Sequence, residues 1–537
     1  MKTYIRCIFS FCFLLFIGCT TSYDVDLLIT NAEIYDGSGS PSYLGQVGVK
    51  DGKIVYVGIE KPMSAANTVD ANRKILAPGF INMLSWGYDT LLEDGRSLSD
   101  LKQGVTLEVF GEGTSPGPSG KKDSTNYQTF GQAMSKLEKN GISTNIASYL
   151  GATSVRIQTV GYENRPASEQ ELEEMKRIVV QSMEEGALGI GSSLIYAPAD
   201  YAPTQELVAL CQTAAPLGGR YISHIRNEDQ YLLESVNELL HIAKAAGVPA
   251  EIYHLKASRP GNFQKLDQVI AKVDSARAAG LNITADIYTY NASSTGLTGV
   301  VPTWVQEGGH EQWMNRMRDP VARKRLLADL TDELTQQPAQ DILMVGFKKD
   351  SMAQIYRGKT IAEAAVMRNQ SAPEAIIDLM LEDDSRIQCI YFSMSPENLR
   401  KKMQIPWVSF CSDAGTYSDW EDDFRTHPRA FGSFIRVLSE FTLKEQLITM
   451  ASAIHRLTGL PATNLGLKDR GFIKEGYWAD LVLFDPAELK DKATFDNPLQ
   501  YAEGIDDVWV NGVQVLQSGT HTNKFPGVFV RGSGSKK

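Results

Sequence analysis

Two histidines, His224 in YISHIRNED and His254 in VPAEIYHLK, are the residues whose types and spacing first suggest chemistry, in a chain with only seven histidines among 537 residues. Neutral imidazole is the commonest protein ligand for a metal, and a metal so held can activate water for hydrolysis. Each histidine ends a short apolar run, and between them residues 234–246 repeat apolar positions at helical spacing. The stretch reads as strand, helix, strand, with one histidine at the carboxyl end of each strand. In a parallel barrel that is the end where catalytic groups and metals sit. Two histidines satisfied inside a core fit the same pattern, and spacing alone leaves both readings open.

The elements that must position such a pair recur along the chain. Apolar runs at 142–149, 187–191, 221–224, 250–254, 283–288, 342–347, 387–392 and 407–412 alternate with amphipathic patterns such as 168–184 and 263–279. Repeated strand–helix units predict an α/β fold, a TIM-like (β/α)8 barrel, over residues 78–455. Residues 298–340, with Trp304 and Trp313, are longer than a normal connection and predict an inserted subdomain or lid. The two ends are different in style. Residues 25–78 are short, alternating and turn-rich, with Asp36-Gly37 and Asp51-Gly52 as hairpin signals, and residues 471–519 repeat that manner. One small β-sandwich built from both termini, residues 23–77 and 456–537 with a closing tail, accounts for the pair.

Composition narrows the partners. A formal charge of -11 and a pI near 5.3 argue against nucleic acid, which needs a positive surface. With 43% hydrophobic residues the chain can bury a large core. At the amino terminus Lys2 and Arg6 precede the apolar residues 8–17, which stop at Gly18-Cys19. That is a signal peptide over residues 1–18 rather than a membrane span, and a small residue before cysteine resembles a bacterial lipoprotein cleavage site. Cys19 would then carry a lipid, with the protein anchored to the cell envelope and facing the periplasm or exterior; a plain secretory signal is the alternative. Cys211, Cys389 and Cys411 remain beyond it, an odd number that suggests no disulfide framework.

Ten motifs in order carry a resemblance: APGFIN at Ala77, QGVTLEVFGEG from Gln103, GALGIGSSLIYAP from Gly186, SHIRNED at Ser223, YHLK at Tyr253, ADIYTYNASS at Ala285, SDAG at Ser412, HPRAFGSF at His427, LTGLPA at Leu457 and RGFIKEGYWADLVLFDP ending at Pro486. Over nearly the whole mature chain the sequence resembles the amidohydrolase superfamily, and within it the D-aminoacylase, or N-acyl-D-amino-acid deacylase, family. Two departures stand out. The superfamily places H-x-H after the first barrel strand, but this chain reads PGFINMLSWGYD, with Leu84 and Trp86 at the histidine positions. One strand later, where such deacylases place a metal-binding cysteine, it has Gly111-Glu112-Gly113.

What the resemblance implies is a site for one divalent metal, zinc by default, held by Glu112, His224 and His254; two histidines and a glutamate are a ligand set of hydrolytic zinc. Asp413, at the end of the last strand, would act as general base and then acid. Lys256, Tyr196, Tyr288 and Arg429 would bind the substrate and its carboxylate, within a polar network that includes Arg226, Glu228 and His427. His241, His310, His455 and His521 read as structural or exposed. The implied activity is metal-dependent hydrolysis of an amide that releases an acyl or aminoacyl group from a D-amino acid, a small-molecule substrate. A dipeptidase acting on peptides with a carboxy-terminal D-residue shares the same chemistry. A metal-free, lipid-anchored binding protein is the reading of another class. The sequence does not give the oligomeric state.

Overall fold

A computed structural model describes residues 24–119, 129–420 and 424–536. Cys19 and the signal segment lie outside the described residues. The site-bearing part is a succession of parallel strands: β1 (Phe80–Asn82), β2 (Val105–Phe110), β3 (Asn145–Ser148, resumed at Leu150–Gly151), β4 (Gly189–Ser193), β5 (Arg220–His224), β6 (Ala250–Ile252), β7 (Ile283–Ile287) and β8 (Val408–Phe410). Every neighbouring pair from β1 to β7 is parallel, and β8 pairs with β7. The ends of the series also meet: Met83 N donates to Phe410 O (3.3 Å), Asp413 N donates to Leu84 O (2.9 Å), and Ser85 bridges Ala414 in parallel. The pairings therefore run in a circuit. Strands covered on both sides should be small or apolar throughout rather than alternating, and β4, GIGSS, is buried at every residue.

The helices follow from their caps and stripes. Residues Glu169–Glu185 start at a Ser168/Glu171 capping box and stop at Gly186 in the left-handed region. Residues Leu232–Ala246, between the two histidine strands, bury Leu232, Val236, Leu239, Ile242, Ala243 and Ala246 along one face. That helix returns the chain to β6 so that His224 and His254 project from the same end.

Strands from both termini share one nine-stranded sheet. Its seam is the antiparallel pairing of Ile75–Pro78 with Leu481–Phe484. Asp51-Gly52 makes the expected two-residue turn, with φ of 51° and 75°. Asp36-Gly37 instead lies in the longer loop 35–42, where Asp36 Oδ1 accepts from Ser38 N (2.9 Å). The residues after the sheet leave it: Ile146 N donates to Val528 O (3.0 Å) and Val530 N to Ile146 O (2.8 Å), so the tail closes the amino-terminal end of the circuit beside β3.

The insertion differs from expectation. Between β7 and β8 the strands Ser293–Gly296, Gln388–Tyr391 and Ile342–Gly346 form a separate antiparallel sheet. It has its own core of Leu297, Trp313, Leu326, Ile376 and Cys389. The runs at 342–347 and 387–392 are thus not strands of the circuit, and the insertion extends well beyond 298–340. A five-residue apolar run fits either sheet equally, because both bury it. Among the described residues no helix is long and apolar enough to cross a membrane. Cys211, Cys389 and Cys411 are free and buried.

Candidate metal centre and active site

Four carboxyl-terminal strand ends deliver the residues singled out by the sequence. Glu112 stands just past β2, His224 ends β5, His254 follows β6, and Asp413 follows β8. Flanking glycines place Glu112. A Cβ on Gly111 (φ +111°) would lie 2.4 Å from Tyr149 O, and one on Gly113 (φ +69°) 2.6 Å from Ser193 Cβ, so only glycine lets this loop press against β3 and β4. His254 and Asp413 are held at φ 33° and 49°. Such backbone conformations cost free energy in non-glycine residues and persist where the surroundings enforce them. For His254 the enforcement includes its N–H on Asp286 Oδ1 (2.8 Å). For Asp413 it includes the Asn82 amide, which donates to Ser412 Oγ (2.8 Å) and accepts from Ser412 N (2.9 Å).

Glu112, His224 and His254 each offer one ligand atom, and these lie within 4.8 Å of one another in a buried position. Glu112 Oε1 is 2.8 Å from His224 Nδ1 and 3.1 Å from His254 Nε2. Burial opposes ionisation of Glu112, but the His254 and His224 imidazoles hold its carboxyl below the ordinary range, so it is available as a carboxylate. Burial and Lys256 press the His254 imidazole downward, yet Asp413 and Glu112 raise it to about 9. The point where the three meet therefore attracts positive charge. The outward nitrogens face one acid: Glu228 Oε1 lies 3.3 Å from His254 Nδ1 and 3.7 Å from His224 Nε2, which has no hydrogen-bond partner. Glu228 therefore acts on the two rings through its charge, while His254 Nδ1 takes the Lys256 ammonium (2.6 Å). The donor set, its burial and the negative charge around it fit a divalent ion.

These groups line a cavity of about 590 Å³ together with Trp86, Tyr196, Lys256, Asp413 and Arg429. Asp413 Oδ1 accepts from Trp86 Nε1 (3.2 Å), and Oδ2 lies 2.6 Å from Arg429 Nη1. The second contact is one of charge, since that N–H is not directed at the oxygen. Burial raises the Asp413 carboxyl above its ordinary value against the pull of Arg429, which makes it easier to protonate. Lys256 Nζ rests on Glu228 Oε1 (2.7 Å) and His254 Nδ1 (2.6 Å). Tyr196 packs its ring on His224, 5.2 Å between centroids. Tyr288 stands behind the cavity wall, its hydroxyl on Met394 Sδ (3.4 Å) and its ring under the Arg429 guanidinium (4.6 Å). His427 accepts from Arg429 N through Nδ1 (3.0 Å) and is kept neutral by burial, a fixed support for that arginine. Arg226 is tied to Glu238 on the adjoining helix, away from the metal ligands.

Two contacts escaped the sequence reading. Trp86, noted there as a lost ligand, donates to Asp413; Glu228, placed there in a general network, brings its charge to within 3.3 and 3.7 Å of the two imidazoles. Leu84 is fully buried in the core.

A family model described as "Amidohydrolase family" matches residues 67–516. The chain is 28% identical over 519 residues to the D-aminoacylase of Alcaligenes xylosoxydans xylosoxydans, covering 94% of this chain and 97% of that one. It superposes with a TM-score of 0.80 and 28% identity on the N-acyl-D-glutamate deacylase of Bordetella bronchiseptica, solved with zinc and a phosphonate mimic of the tetrahedral intermediate, covering 94% and 99% of the two chains. A D-aminoacylase structure described by one-metal activation and second-metal attenuation of its binuclear centre matches at a TM-score of 0.80 and 26% identity, covering 94% and 99%.

Proposed function

This chain belongs to the amidohydrolase family, and we propose that it hydrolyses the amide of an N-acyl-D-amino acid with one divalent metal, zinc in the first instance. The observation that carries the proposal is the convergence of Glu112, His224 and His254 within 4.8 Å in the same cavity as a buried Asp413. We read the strand circuit as the (β/α)8 barrel with residues 23–77 and 456–537 as its satellite. We keep the amino terminus as a lipoprotein signal with Cys19 lipidated at the bacterial cell envelope.

When bound, the metal supplies Lewis-acid activation of water and of the scissile carbonyl. The protein supplies the proton traffic. Asp413, whose carboxyl is raised by burial, takes a proton from the attacking water and delivers it to the amide nitrogen as the C–N bond breaks. The acyl carbon gains the water oxygen and the nitrogen leaves as the amine of the D-amino acid. Arg429 keeps buried Nε and Nη1 donors without hydrogen-bond partners, an arrangement costly unless a ligand fills it, and it and Lys256 are placed to take the substrate α-carboxylate. Tyr196, against His224, orients the acyl side. Tyr288 supports Arg429 through its ring.

Hydrolysis of N-acetyl-D-amino acids, their L-enantiomers and L,D-dipeptides by zinc-loaded protein tests this. Turnover confined to D-configured substrates is expected. Preference for L-substrates, or none for any amide, would overturn it.

A further inference from the structure

Among the described residues, one of the large apolar side chains left exposed to solvent, Trp86, lines the cavity. It is 45% exposed, and its ring stacks on no other ring or cation among the described residues. An indole offers a large, rigid apolar surface to a ligand, so an open tryptophan beside the reacting carboxylate points to a group that covers it. The side chain is held rather than loose. Trp86 N donates to Ala414 O (2.9 Å), Gly87 N donates to Ser85 Oγ (3.0 Å), and Trp86 Nε1 donates to Asp413 Oδ1 (3.2 Å). The polar edge of the indole is thus turned onto Asp413, and its carbon surface is what remains for a ligand.

Asp413 also fixes which part of the substrate arrives there. Its Oδ2 faces Arg429 Nη1 (2.6 Å) while its Oδ1 faces Trp86, so the carboxylate that serves the scissile nitrogen has a cationic side and an apolar side. With the α-carboxylate drawn to Arg429, the other substituent of that nitrogen, the acyl group, falls toward the indole. We infer that Trp86 is the specificity-determining platform for the acyl group, and that the protein takes apolar N-acyl groups larger than acetyl, an aromatic ring above all, in preference to acetyl itself. The inference rests on the N-acyl-D-amino acid reading for its substrate, and its test is read in binding as well as in turnover.

Calorimetric binding to zinc-loaded protein carrying Asp413→Asn, so that ligands are not consumed, compares two pairs. N-acetyl-D-leucine against N-phenylacetyl-D-leucine varies the acyl end, and N-acetyl-D-alanine against N-acetyl-D-phenylalanine varies the other end. The phenylacetyl compound should bind at least about tenfold more tightly than its acetyl partner. Adding Trp86→Ala should bring the acyl pair to within about twofold and leave the ratio of the side-chain pair unchanged, while Trp86→Phe should retain part of the acyl preference. With Asp413 intact the same preference should appear in kcat/KM, where a ratio taken within one variant cancels the loss of the indole bond to Asp413. Equal binding within the acyl pair, a preference that survives Trp86→Ala, or an effect of Trp86→Ala on the side-chain pair instead, would overturn the platform. A Trp86-dependent preference in binding, with none of these compounds hydrolysed by the wild type, would count against the deacylase reading and leave the platform standing.

Discussion

Trp86→Phe removes one N–H and keeps an aromatic ring, so it isolates what Trp86 does for Asp413. The Trp86 Nε1 bond to Asp413 Oδ1 (3.2 Å) is a directed side-chain bond on that carboxylate, whereas Arg429 contributes charge without a directed N–H. A hydrogen bond to a charged group contributes about 1.5–3 kcal/mol, equivalent to a loss of roughly tenfold to 150-fold in kcat/KM. Trp86 is 45% exposed, so stability should change by only about 0.5 kcal/mol. Donation from the indole favours the ionised carboxylate, and its removal adds to the effect of burial, which already raises the Asp413 carboxyl. The acid limb of kcat/KM against pH should therefore move to higher pH. The assay is steady-state hydrolysis of an N-acetyl-D-amino acid across pH, with zinc content and thermal unfolding measured on the same preparations. An unmoved acid limb and a kcat/KM within about twofold of wild type, at full zinc content, would refute the reasoning.

Gly111→Ala should drive a methyl group toward Tyr149 O, 2.4 Å away, at a backbone φ of +111°. A strain of about 1–3 kcal/mol displaces Glu112 and should weaken metal binding at least about tenfold, as read by competition with a chelator; unchanged affinity would refute it. Lys402 is buried with its Nζ on Leu255 O (2.6 Å), and burial lowers it to about 7 from 10.5. Since the unfolded chain holds that proton up to the higher value, stability should rise with pH between about 7 and about 10. Lys402→Met should remove that contribution to the slope of the urea midpoint against pH, and an unchanged slope would contradict the assignment.

The sequence carried the centre of the site more fully than its surroundings. His224 and His254 were legible because strand-end histidines flanking an amphipathic helix have few arrangements in a parallel fold, and Glu112 because its glycines matched the family loop. The role of Trp86 was not legible: its hydrogen bond joins positions 327 residues apart, and no local pattern announces such a contact. The runs at 342–347 and 387–392 misled for a simpler reason, since apolar length does not say which sheet will bury a strand. The wall acids were also hidden. Glu251 and Asp286 stand on β6 and β7 inside runs that read as apolar, and burial raises them to about 8 and about 6. Glu251 accepts from Thr284 Oγ1 (2.8 Å) and Ser409 Oγ (3.3 Å), so within the circuit this acid is met by hydroxyls rather than by a counter-charge.

The central claim is that Glu112, His224 and His254 hold the catalytic metal. Metal analysis of purified wild-type and Glu112→Gln protein, after zinc soaking and with turnover measured in parallel, tests it most directly. The account predicts about one equivalent of metal in the wild type and loss of both metal and activity in Glu112→Gln. Less than about half an equivalent in the wild type, or a Glu112→Gln protein that retains metal and turnover, would contradict it.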